Sequence, residues 1–80
     1  MKLPIIKQLA ETYTIEQLKA AEEAILNEQK PEIKIEGSDE GEQLTHVIAA
    51  ISILEDMNKN KVDIRTALRN YTQRVRNSIS

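Results

Sequence analysis

Three side chains near the middle of the chain could do chemistry together. Glu42 and His46 lie four residues apart, and Asp39 stands three residues before Glu42. Helix positions four apart share a face. A carboxylate and an imidazole at that spacing can reach one divalent cation, with Asp39 as a further oxygen donor. Asp39, Glu42 and His46 are therefore the candidate metal or small-ligand site. The set falls short of a zinc pattern. His46 is the only histidine and the chain has no cysteine, whereas zinc takes three or four protein ligands and a surrounding hydrogen bond that orients each histidine. Di-iron helices place Glu and His three residues apart, not four. The same pair could shuttle a proton as an acid/base dyad. No Gly-rich phosphate loop, nucleophile motif or cofactor fingerprint accompanies it, so the expectation is a protein that is not an enzyme and carries no cofactor.

The stretch that holds these residues, GSDEGEQLTH at 37–46, also reads as the start of a helix. Ser38 or Asp39 can cap it, and Asp39 with Glu42 has the spacing of a capping box. Acids in the first turn complement the positive end of the helix dipole. Gly41 loosens that turn, and nothing in the sequence explains it.

The helix this start leads into is the central one. Across residues 44–57, Leu44, Val47, Ile48, Ile51 and Leu54 make one apolar stripe. His46, Ala50, Ile53 and Met57 make a second, offset stripe. A helix with one buried face needs only the first. The two stripes predict burial on two sides, by the bundle core and by a partner, with repacking entirely within the four short helices of one chain as the alternative. The core is expected at Leu44, Val47, Ile48, Ile51, Leu54, Leu68, Tyr71 and Val75. Contact with a second copy is expected at Ile33, Ile35, Ala50, Ile53 and Met57, giving a homodimer or another protein-bound state.

Three further helices flank this one. Pro4 suits a first helical turn, with Ile5, Ile6, Leu9 and Ala10 on one face to about Glu11. Thr14 and Gln17 form a capping box ahead of Ile15, Leu18, Ala21 and Ile25. That helix stops before Pro31, because the residue preceding a proline is driven out of helical geometry. In PEIKIE, residues 31–36, the period changes to two, with Ile33 and Ile35 pointing one way. The segment is either an extended linker that packs its isoleucines on the helices, the favoured reading, or a strand that pairs with its twin. Polar NKNK, 58–61, breaks the central helix, with asparagine suited to the left-handed turn. Asp63 caps the last helix, with Val62 placed to staple against Ala67. There Ile64, Ala67, Leu68, Tyr71, Val75 and Ile79 share a face, and Arg65, Arg69, Thr72 and Arg76 trace a line beside it. The fold class is thus mainly α: a single four-helix domain over 1–80 with one short extended segment.

Charge and composition bound the partners. Residues 1–57 hold twelve acids and five bases, and residues 58–80 hold six bases and one acid. The net charge of −2 therefore hides a strong polarity, which brings the tail against an acidic surface within the chain or on a partner. The basic face at Arg65, Arg69 and Arg76 raises nucleic acid as a further alternative. An acidic chain without aromatics interleaved among the arginines speaks against it. No run approaches the length of a membrane span, and a cysteine-free chain suits a reducing compartment. The cytoplasm is the expected location.

Two stretches, DEGEQLTHVIAA (39–50) and TALRNYTQRVRNSI (66–79), together with the MKLPIIKQL start, resemble a family of short bacterial proteins with no assigned function. The likeness covers most of the chain and implies a free-standing protein. It implies no activity, cofactor, partner or site residue.

Overall fold

A computed structural model describes residues 2–79, with side chains through Asn77. The elements in chain order are α1 (Leu3–Thr12), α2 (Ile15–Leu26), α3 (Glu40–Asn60) and α4 (Ile64–Ile79). Among the described residues there is no strand. α3 is the axis of the molecule, touched by each of the other three helices. The fold is mainly α, as the periodicity predicts. The side chain of Ile79, expected on the buried face of α4, lies outside the described residues.

Local chemistry explains the boundaries. At the start of α2 the capping box is complete: Thr14 Oγ1 accepts from the Gln17 N–H at 3.2 Å, and Gln17 Oε1 accepts from the Thr14 N–H at 2.9 Å. The helix closes in a paired-bond turn. Gln29 N–H donates to the Ala24 carbonyl at 2.7 Å and Glu28 N–H to the Ile25 carbonyl at 3.1 Å, which places Glu28 in the left-handed region at φ 59°. The chain then runs extended through 31–36, with Ile35 buried and Ile33 half-buried against the core. The linker reading describes this segment.

Gly37 turns the chain into α3. A Cβ there would stand 2.8 Å from Gln43 Cγ and 2.9 Å from the Gln43 backbone nitrogen, so only glycine lets the linker pass this close. Asp39 caps α3 through its Oδ1, which accepts from the Glu42 N–H at 2.8 Å. α3 breaks within NKNK, three residues in. It continues to Asn60, and Lys61, not an asparagine, takes the left-handed conformation at φ 55°. The reason is local: Asn60 Nδ2 donates to Asp56 Oδ1, so the asparagine side chain holds the last helical turn closed. Asp63 Oδ1 then accepts from the Thr66 N–H at 2.8 Å and opens α4.

The core corrects both assignments made for α3. Ile35, Ala50 and Ile53, expected against another copy, are enclosed within the single chain, and Ile33 and Met57 pack partly buried on the same cluster. Three surrounding helices and the linker already cover this side of α3, so the second stripe is used internally. The converse error is Ile48, expected in the core, which is 45% exposed. Val47 and Ile51 are buried; Leu44, Leu54, Leu68 and Tyr71 pack partly buried against the core; Val75 is half-buried.

Candidate functional site

His46 has no exposed surface. Its Nε2 accepts from the Lys2 backbone N–H at 3.1 Å, and its Nδ1 lies 2.8 Å from the Glu36 carbonyl oxygen. A carbonyl can only accept, and a backbone N–H can only donate. The pair of contacts therefore fixes a neutral ring with the proton on Nδ1. The imidazole joins the start of α1, the end of the linker and the middle of the central helix. Both of its nitrogens are occupied in doing so.

Asp39 and Glu42 are occupied as well. Asp39 is the α3 cap. Glu42 Oε1 accepts from the Ser38 N–H at 2.9 Å, so Glu42 bonds one residue before the cap and not to the cap itself. That N–H holds the Glu42 carboxyl below the ordinary range, with the positive charge of Lys2 adding a smaller pull. Among the described residues, no group of three or more His, Cys, Asp or Glu side chains could hold a metal ion. Asp39, Glu42 and His46 form a joint in the fold where the sequence spacing suggests ligands.

A second polar cluster seats α4 on the C-terminal half of α3. Asp56 takes Asn60 on one oxygen and Asn70 Nδ2 at 3.3 Å on the other. These amides, Asn60 first, hold its carboxyl below the ordinary range. Arg74 Nη2 donates to Ser52 Oγ at 3.2 Å, and its guanidinium lies 5.9 Å from the centre of the Tyr71 ring. Ser52, Asp56, Asn60 and Arg74 line an open cleft of about 610 Å³ together with Ile15 and Glu55.

α3 leaves one stripe open along its length. Glu40, Gly41, Thr45, Ile48, Glu55 and Lys59 are exposed there, with Leu44 and Ser52 half-buried among them. The side chains near its middle are small apart from Leu44 and Ile48. Amphipathic periodicity missed this stripe because α3 is apolar around most of its circumference, and only the placement of its neighbours decides which part stays bare. Arg65, Arg69 and Arg76 are all exposed on α4.

Three helices packed about a central fourth, without a strand among the described residues, define a small all-α domain. The chain belongs to a family of unknown function, DUF6952, whose model matches residues 1–80. No curated protein and no solved structure matches it. No helix among the described residues is long and apolar enough to cross a membrane.

Proposed function

We propose that the protein is a cytosolic, self-associating interaction module, a binding protein and not an enzyme, whose contact with its own copy is the open stripe of α3. The observation that carries this reading is Ile48, 45% exposed near the middle of the helix around which the other three pack. An antiparallel crossing of two copies at Ile48 is self-complementary, as a two-fold contact requires. Ile48 meets its twin, Leu44 lies opposite the second copy's Ser52, and Gly41 and Thr45 leave room for close approach of the backbones. Lys59 of each copy approaches the acidic start of the other α3, at Glu36, Asp39 and Glu40. The stripe runs about 28 Å from Glu40 to Lys59 at 1.5 Å per residue, long enough for two helices to pack through several turns.

This contact differs from the one expected from periodicity, because Ala50, Ile53 and Ile35 are spent inside the monomer. The test is the mass of the protein in solution, for the natural chain and for Ile48→Glu. A charge at the two-fold axis would face its own copy and separate the subunits, while an exposed position tolerates it within the monomer.

A further inference from the structure

α2 and α4 wall the open stripe of α3 on opposite sides. Ile25 of α2 lines a hollow with Glu40 and Gln43, and Ile15 lines the cleft of about 610 Å³ with Ser52 and Glu55. α2 therefore runs antiparallel to α3. α4 does the same on the other side, where Asn70 bonds Asp56 and Arg74 bonds Ser52. The cleft is the gap between these walls. Ile15 stands on one, Arg74 on the other, and Ser52, Glu55 and Lys59 of the stripe form the floor. α2 buries Leu18, Ala21 and Ile25. Ile15, Lys19, Glu22 and Leu26 repeat at helical spacing beside that buried line, on the flank that overlooks the stripe. Leu26 is 64% exposed, more than Leu3 or Ile48, the other large apolar side chains open to water among the described residues.

We propose that this flank of α2 packs on the α4 wall of a second copy, with Leu26 as its apolar anchor and Glu22 paired with Arg74. The inference rests on the self-association proposed above and follows from its symmetry. A two-fold axis through Ile48 exchanges the ends of α3 and also its two sides. Each copy's α2 wall must then face the other's α4 wall, and the N-terminal half of one stripe faces the C-terminal half of the other. Leu26, level with Glu40 and Gln43, comes over the second copy's cleft near Asp56 and Arg74. Glu22, one turn earlier, comes to Arg74 itself. The charges are complementary. The Arg74 side chain is exposed, and its bond to Ser52 and its contact with Tyr71 use only part of its set of donors. Its methylene stem gives Leu26 an apolar surface to lie on. A contact of α3 with α3 alone leaves Leu26 bare, whereas the meeting of the walls covers it twice, once in each half of the dimer.

The chain has no cysteine, so a single thiol can be placed on each wall without background. Gln73 lies beside Arg74 on the α4 wall, and both Leu26 and Gln73 are exposed. Full-length Leu26→Cys protein is mixed with Gln73→Cys protein and treated with a short bis-maleimide. The mixture should yield a covalent dimer. Neither protein should link to itself, because the axis sets like positions roughly 15–20 Å apart along α3. In sedimentation, Leu26→Glu should weaken the dimer about tenfold or more. Glu22→Arg should weaken it too, and Arg74→Glu added to that variant should recover part of the loss. If Glu22→Arg does not fold, Leu26→Glu at its exposed site decides, and a dimer as tight as the natural one would overturn the proposal. So would self-linking of the Leu26→Cys protein, or a mixture that does not link although the natural protein sediments as a dimer split by Ile48→Glu. Those results leave the stripe of α3 standing as the contact, whereas a natural protein that is monomeric at every concentration overturns both.

Discussion

Replacing His46 by leucine separates two roles that burial alone leaves combined. The side chain is fully enclosed and joins the Lys2 N–H to the Glu36 carbonyl across the middle of α3. Leucine keeps most of the volume and loses both bonds. Each such bond contributes a net of about 0.5–1.5 kcal/mol, so His46→Leu should cost about 2 kcal/mol. Alanine adds a cavity term of about 1–2 kcal/mol, at the low end for large-to-small changes in a core because the joint lies near the surface. Its total should be about 3–4 kcal/mol, out of the roughly 4–12 kcal/mol expected for a domain this size. Glutamine, whose amide can make one of the two bonds, should fall between the natural protein and leucine. At about 4–8 °C per kcal/mol for a small domain, the alanine variant should melt more than about 10 °C below the natural chain. Thermal and urea melts in a chelating buffer measure the series, and divalent ions should not change its order. A leucine variant as stable as the natural protein would show that His46 only fills space, and the reasoning would fail.

Three further outcomes follow from the backbone and the caps. Glu28 sits at φ 59°, a conformation that strains L side chains, so Glu28→Gly should raise stability by about 0.5–1 kcal/mol in urea melts; no gain would show that this turn costs nothing. Gly37→Ala drives a Cβ to 2.8 Å from Gln43 Cγ and should destabilise by about 1–3 kcal/mol. Gly41→Ala meets only Asp39 Oδ1 at 3.4 Å and should stabilise α3 by about 0.5–1 kcal/mol, with equal effects at the two glycines contradicting the geometry. Bonds from Thr66 hold the Asp63 carboxyl below its ordinary value of 3.8. A lowered value in the folded chain means that the cap stabilises above the ordinary carboxylate range and is lost as pH falls through the folded value. Melting temperature should therefore drop with acidification below about pH 4, and less steeply in Asp63→Asn, which can still cap but cannot titrate.

What the sequence discloses about this fold is its local punctuation. Thr14 with Gln17, Asp39, Asp63 and Pro31 each act on backbone within four residues, so their roles follow from spacing. The assignments that went astray depend on neighbours distant in the chain. His46 looks paired with Glu42 because they share a helix face, yet its partners are backbone atoms at Lys2 and Glu36, the first of them 44 positions away. Periodicity counts two apolar stripes on α3 but cannot say which one α1, α2, α4 and the linker cover, and so Ile48 and Ile53 exchange places. Propensity points to an asparagine for the left-handed end of α3. Asn60 is instead engaged by Asp56, and the strained conformation moves on to Lys61.

Sedimentation of the natural protein beside Ile48→Glu, from low to high micromolar concentration, bears most directly on the open stripe of α3. The natural chain should sediment as a dimer that dissociates on dilution, and the variant as a folded monomer throughout. A natural protein that stays monomeric across the range, or a dimer indifferent to the added charge, would contradict the assignment of that stripe.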